Sequence, residues 1–162
     1  MVSESIGTAI LVIAGIILAT MISVALLTQI GVIESTMRVF IKNAQEKLQT
    51  QITITLVSLN TSPDGTKYFV IYVKNTGSRA ISSQELMATD VYLRDNAVAY
   101  LLTYNSSGGL GTWNYSETTP DNTWMPGETI IINAFNSTTL SIPTRIMITL
   151  PNGVSAEYQY NG

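Results

Sequence analysis

Residues Ile6 to Ile33 read IGTAILVIAGIILATMISVALLTQIGVI, 28 consecutive positions without a charged side chain. A helix needs about 20 apolar residues to cross the ~30 Å hydrocarbon core of a bilayer. Leu, Ile, Val and Ala dominate, and Gly7, Gly15 and Gly31 are too scattered to interrupt the run. A buried helix of a large soluble protein has the same texture, but no other helix is expected here to surround it. The stretch therefore predicts a membrane or filament-core helix. The preceding MVSES has no Lys or Arg. The run also exceeds the ~7–15 apolar residues of a secretory signal, so a retained anchor is expected.

On its C-terminal side the pattern changes but does not break. ESTMRVFIKNAQEKLQT contains neither Pro nor Gly, and Ile33, Met37, Phe40 or Ile41, Ala44 and Leu48 recur at spacings of three and four. That is the apolar stripe of an amphipathic helix. One helix is thus expected from about Ser3 to Gln49, on the order of 70 Å at 1.5 Å per residue. Its stripe suits docking on the chain's own C-terminal domain or packing against neighbouring copies. At its start, Glu4 either complements the helix dipole or makes a register contact with a neighbouring chain's amino terminus.

Beyond Gln49 the texture is that of strands. Ile52 to Val57 alternates and is rich in β-branched residues, and Tyr68 to Val73, apolar throughout, reads as the next strand, with a Pro-Asp-Gly turn between them. Further strands are expected at about 89–94, 97–104, 128–134, 144–150 and 153–160, seven or eight in all, with no helical pattern among them. The expected organisation is a membrane-spanning and amphipathic helix over 1–49 and an extracytoplasmic β-domain over 50–162. Short strands at this spacing suggest an immunoglobulin-like antiparallel sandwich. Within Tyr68 to Val73, Tyr68, Val70 and Tyr72 face one side and Phe69, Ile71 and Val73 the other, because strand side chains alternate. One set fills a core. The other then needs a cover: the helix 34–49, a loop or a second copy. Residues 105–127 read as a long polar loop carrying Trp113, Tyr115 and Trp124. These aromatics either cap the core or anchor an interface.

Composition narrows the function. Only 12% of the 162 residues are charged, 46% are hydrophobic, and the mean hydropathy is +0.26. Disorder is excluded, since it requires low hydrophobicity and high charge. With no Cys and no His, thiolate chemistry and most nucleophilic triads and zinc sites lose their usual residues. The acids Asp64, Glu85, Asp90, Asp95, Glu117, Asp121, Glu128 and Glu157 show no calcium-loop or glycosidase spacing. No Gly-rich loop opens a helix after a strand. No catalytic residue, cofactor or metal site is expected. A net charge of −3 without a basic patch makes nucleic acid a poor partner.

The side of the membrane is read from two signals that disagree. Arg38, Lys42 and Lys47 follow the apolar run, and the positive-inside rule alone would put the C-terminal half in the cytoplasm. The weakly charged, Ser/Thr/Asn-rich β-domain argues for the outside. It also holds four glycosylation sequons, at Asn60, Asn105, Asn114 and Asn136. The domain is expected outside the cell membrane.

Two stretches carry a family resemblance. VSESIGTAILVIAGIILATMISVAL resembles the N-terminal helix of archaeal type IV pilin-like proteins, in which a short polar start with an acidic residue leads into an uncharged helix. YFVIYVKNTGSRAI (Tyr68 to Ile81), followed by MPGETI (Met125 to Ile130), is similar to the extracellular domain of the archaellum FlaG family, within the pilin-like FlaG/FlaF stator group. Processed pilins and archaellins carry a basic residue and Gly before their cleavage point, whereas no Lys or Arg precedes Ile6, so such processing is not expected. The resemblance implies a single-pass protein with its β-domain in the pseudo-periplasm, acting as a static part of the archaellum motor. It would assemble with itself, bind a FlaF-like partner and connect indirectly to the S-layer, while its helix meets membrane lipid. Expected assembly contacts are Glu4, Tyr68, Val70 and Tyr72. Two alternatives are a pilin or archaellin filament subunit and a single-pass surface adhesin.

Overall fold

The computed structural model describes residues 2–63, 65–95, 98–119, 121–136 and 144–162, with side chains from residue 5. Asp64, Ala97, Pro120 and the hydroxyl residues of the Asn136 sequon, Ser137 and Thr138, lie outside these, as does the Glu4 side chain. The chain forms two compact units, Met1–Ala44 and Gln45–Gly162.

The first unit is helical. Helix α1 runs over Val2–Gln49, and its segment Ser5–Gln49 is long and apolar enough to cross a membrane. The hydroxyls inside the apolar run bond back along the helix: Thr20 Oγ1 to the Ile16 carbonyl (2.6 Å), Ser23 Oγ to Ala19 (2.8 Å) and Thr28 Oγ1 to Val24 (2.9 Å). Each of these three hydroxyls thus finds an acceptor within its own helix, as an apolar surrounding would require. Ile33, Met37, Phe40 and Ile41 are all exposed, and Arg38 pairs with Glu34 one turn earlier at 2.6 Å.

The second unit is a β-sandwich. Its elements in order are β1 (Ile52–Thr61), β2 (Lys67–Asn75), β3 (Ile81–Ser82), the short helix α2 (Ser83–Met87), β4 (Asp90–Arg94), β5 (Ala99–Tyr104), β6 (Thr112–Glu117), β7 (Thr123–Trp124), β8 (Thr129–Phe135), β9 (Thr144–Thr149) and β10 (Ser155–Tyr160). Eight strands follow the order β1-β2-β8-β6-β5-β4-β9-β10. One layer is β1-β2-β8-β6 and the other β5-β4-β9-β10. They are joined by a short parallel pairing of β5 with β6 at Thr103–Thr112 and Tyr104–Trp113. The end strands β1 and β10 come back close to each other. The core between the layers holds Val57, Ile71, Val73, Val91, Leu93, Ile130, Ile132, Ile146 and Ile148, all buried.

Three features depart from the sequence reading. First, residues 105–127 are not one long loop, because β6 and β7 lie within them. Second, α2 was not anticipated. Its signal was present as Ser82-Ser83-Gln84-Glu85: Ser82 Oγ accepts from the Glu85 N–H while Glu85 Oε2 accepts from the Ser82 N–H, a reciprocal capping box. Third, a bulge interrupts the β1–β2 register between Ile54 and Leu56. The extra residue, Thr55, bonds the Tyr72 carbonyl at 3.2 Å. Strict alternation would continue Ile52 and Ile54 with a buried Leu56. The bulge instead turns Leu56 outward, at 52% exposure, and buries Val57.

Candidate functional site

The two motifs that carry the family resemblance, KNTGS and MPGE, meet in space. Asn75 ends β2 and is fully buried. Its Nδ2 donates to the carbonyls of Arg79 (2.9 Å) and Trp124 (3.1 Å), and its Oδ1 accepts from the Gly77 N–H (3.1 Å). Its backbone N–H donates to the Glu128 carbonyl at 2.9 Å, and its carbonyl accepts from Gly127 at 2.7 Å. Across the knot, Trp124 Nε1 donates to the Glu128 carbonyl at 3.0 Å, and the Met125 N–H donates to Glu128 Oε2 at 2.9 Å. Gly127, with φ of 86°, supplies the positive φ that the Pro126-Gly127 turn requires. A buried amide with both ends occupied is satisfied and geometrically demanding.

The same loop receives the last turn of α1, whose residues Gln45–Gln49 belong to the β-unit. The N–H groups of Ser78 and Arg79 donate to the Gln49 carbonyl at 2.9 and 3.3 Å. Those of Thr76 and Gly77 donate to the Gln51 carbonyl, both at 2.9 Å. Helix C-terminal carbonyls need such partners. A Cβ on Gly77 would lie 2.4 Å from the Gln49 oxygen and 2.6 Å from the Gln51 nitrogen, so only glycine fits. On the other flank, Asn152 Nδ2 donates to Thr50 Oγ1 at 2.9 Å, and Thr50 Oγ1 donates to the Glu46 carbonyl at 2.6 Å.

Beside this knot, Arg79 forms an ion pair with Glu85. Partial burial pushes the Glu85 carboxyl up, but Arg79 and the Ser82 donors together outweigh it, and the group is held below the ordinary carboxylate range. In the aromatic cluster of Tyr104, Trp113 and Tyr115, burial and then the neighbouring Tyr115 raise the Tyr104 hydroxyl.

The outer face of the β1-β2-β8-β6 layer carries the expected assembly residues. Cross-strand pairing sets Asn60, Tyr68, Phe135 and Thr112 in one row, then Ser58, Val70, Asn133 and Asn114, then Leu56, Tyr72, Ile131 and Ser116. Tyr68 stacks on Phe135 with ring centroids 4.9 Å apart. Tyr68 and Tyr72 are half-buried. Val70, in the middle row, is 8% exposed, so it shapes this face from beneath rather than offering itself to a partner. Leu56, Ile131 and Phe135 belong to the same face and were missed. The bulge that exposes Leu56 has no local sequence signal, and β8 joins β2 only through the strand order.

The other expected residues fall as follows. Trp113 and Trp124 are 0% and 1% exposed. All three residues read as an interface loop lie on strands, Trp113 and Tyr115 on β6 and Trp124 on β7, and for the two tryptophans the interface reading is corrected, because a side chain closed off by its own core cannot anchor a partner. Tyr115 is half-buried against that core. Of the sequon asparagines, Asn60 and Asn105 are exposed, Asn114 is half-buried and Asn136 is buried.

The fold is that of a chain in which a helix long and apolar enough to span a membrane precedes a weakly charged β-sandwich. The chain belongs to the archaeal-type flagellin family, whose profile matches residues 3–160. Among solved structures it is similar to the archaellum periplasmic stator protein FlaG from Sulfolobus acidocaldarius, at 29% identity and a TM-score of 0.54, over 68% of this chain and 99% of that one. It is also similar to a chain of the FlaF–FlaG stator complex from the same organism, at 27% identity and a TM-score of 0.55, over 68% and 89%. No curated protein sequence matches significantly. The resemblance read from YVKNTGS and MPGE is thus supported, and the protein is archaellum-related.

Proposed function

We propose that the protein is a static component of the archaellum motor. Helix α1 holds it in the cell membrane, its β-domain lies on the extracytoplasmic side, and it resists torque by assembling with itself and with a FlaF-like partner that links it to the S-layer. The observation that carries this reading is the FlaG match, which spans nearly the whole solved FlaG chain at 29% identity. A FlaF-like partner is supported by the second match, a FlaF–FlaG complex. The outer face of β1-β2-β8-β6 suits such a role. Leu56, Tyr72 and Ile131 form an apolar row on a weakly charged surface, and load needs buried contact area rather than chemistry. The helix contributes through Glu4 at its start and through the exposed stripe of Met37, Phe40 and Ile41.

The test is co-purification of the full-length protein, in detergent, with a FlaF-like partner and with a differently tagged copy of itself. Leu56→Lys combined with Tyr72→Lys is expected to reduce capture of one or both and to impair motility, with unchanged tryptophan fluorescence. Full capture and normal motility would remove this face from the assembly. A second reading, a filament subunit, is favoured by the family match over residues 3–160. Recovery of the protein chiefly in sheared filaments, rather than in membranes, would establish it instead.

A further inference from the structure

Four sequons occur in the β-domain, and the structure treats them differently. Asn136 is buried, at 7% exposure. Asn105 is exposed but engaged at both ends: its Oδ1 accepts from the Ser107 N–H at 3.1 Å and its Nδ2 donates to the Gly108 carbonyl at 3.0 Å. Asn114 is half-buried. Its Oδ1 accepts from Asn133 Nδ2 at 3.0 Å, and its Nδ2 points to the Ser106 carbonyl at 3.5 Å. Asn60 alone is exposed with a side chain that makes no hydrogen bond to the described residues. It sits next to last on the edge strand β1. Its sequon Asn60-Thr61-Ser62 runs into a tight turn, where the Gly65 N–H donates to the Ser62 carbonyl at 2.9 Å. A strand end leading into a turn is open to a modifying enzyme.

The surroundings of Asn60 supply a second observation. It pairs directly with Tyr68 on the outer face, and directly opposed residues hold their Cβ atoms about 4.5–5.5 Å apart. Tyr68 in turn stacks on Phe135, and Gly108 lies near the outer end of the Phe135 ring, since a Cβ there would come within 3.1 Å of it. A sugar on Asn60 Nδ2 would start beside this aromatic pair. The C–H-rich face of a pyranose packs well on such rings, and the contact removes apolar area from water.

We infer that Asn60 is the N-glycosylation site of this protein and that its glycan lies over Tyr68 and Phe135. The inference rests on the extracytoplasmic placement proposed above. The donor is an oligosaccharide on a polyisoprenyl phosphate or pyrophosphate. Asn60 Nδ2 forms a bond to the anomeric carbon, and the bond from that carbon to the phosphate oxygen breaks. The lipid phosphate leaves with the electron pair, and the amide proton passes to a base of the transferase. The glycan blunts the β1 edge against strand addition and covers the Tyr68 end of the face. Tyr72 lies four residues along β2, about 13 Å away at ~3.3 Å per residue, and stays free for a protein partner.

The test uses the full chain, made in an archaeal host with its own N-glycosylation machinery and extracted from membranes. Intact mass should exceed the sequence mass by one oligosaccharide. Asn60→Gln and Ser62→Ala should each lose the whole increment, and Ser62→Thr should keep it. Tyrosine nitration read by peptide mass spectrometry should be several-fold faster at Tyr68 in Asn60→Gln than in the glycosylated protein, with Tyr72 unchanged. An increment that survives Asn60→Gln overturns the assignment. Equal nitration of Tyr68 with and without the sugar overturns its position over the aromatic pair. Protease accessibility of the β-domain on intact cells separates two failures. An unmodified, externally cleaved domain refutes the glycan alone, whereas an unmodified, protected one refutes the extracytoplasmic placement and the glycan with it.

Discussion

Gly77→Ala is expected to loosen the grip of the β-domain on the last turn of α1. The added methyl would sit 2.4 Å from the Gln49 oxygen, 2.6 Å from the Gln51 nitrogen and 3.2 Å from the Thr50 carbonyl carbon, all backbone atoms with no rotamer to escape into. The loop must retreat by about an ångström to reach ordinary contact. Four hydrogen bonds from Thr76, Gly77, Ser78 and Arg79 to Gln49 and Gln51 depend on that approach. Each contributes roughly 0.5–1.5 kcal/mol net. Losing two or three of them, less the few tenths that Ala gains by restricting the unfolded chain, gives a destabilisation of about 2 kcal/mol. For a unit of this size that lowers the midpoint by roughly 6–12 °C. Trp113 and Trp124 are both buried in the β-domain and no other tryptophan exists, so a fluorescence melt of the detergent-solubilised protein reports this unit alone. Gly31→Ala, where the new methyl meets nothing within 4 Å, is the control and should leave the melt unchanged. A Gly77→Ala melt within a degree of the wild type would refute the reasoning.

Three other outcomes are expected. Asn75→Ala removes the side-chain donor to the carbonyls of Arg79 and Trp124, while the Gly77 N–H keeps the Gln51 carbonyl, and should cost about 2 kcal/mol or more in the same melt; a loss below 1 kcal/mol would show that the knot re-forms around water. Glu85 is held below the ordinary carboxylate range, so its contribution is fully present above the unfolded value of about 4.3 and disappears as the pH falls through the lowered folded value. Glu85→Gln should therefore show a flatter decline in midpoint than the wild type below about pH 5, and parallel curves would remove the Arg79 pair as a source of acid sensitivity. Glu4→Gln should reduce co-purification of two differently tagged copies while leaving membrane insertion intact; equal recovery would leave only the dipole role, about 0.3–1 kcal/mol.

The helix was legible because its causes are local. An uncharged run followed by a striped segment free of Pro and Gly admits no other regular structure, and α1 covers Val2–Gln49. The main strands were legible for the same reason, since β-branched alternation and Pro-Gly or Asn-Gly punctuation act within a few residues. The family signatures were visible too, but not why YVKNTGS and MPGE occur together.

What the sequence by itself determined is the division into an apolar helix and a β-domain, along with the two faces of β2. What only the tertiary structure decided depends on partners distant along the chain. Asn75 is a hub because Trp124 and Glu128, some fifty residues on, close around it. Trp113 and Trp124 are core residues because β6 packs beside β8 and β7 pairs with β3. Leu56 faces out because the bulge at Thr55 resets the register with β2. Alternation states that a strand has two faces. Which residues end up on which face, and which asparagine keeps a free amide, follows from bulges, strand order and buried hydrogen bonds that no short window of sequence contains.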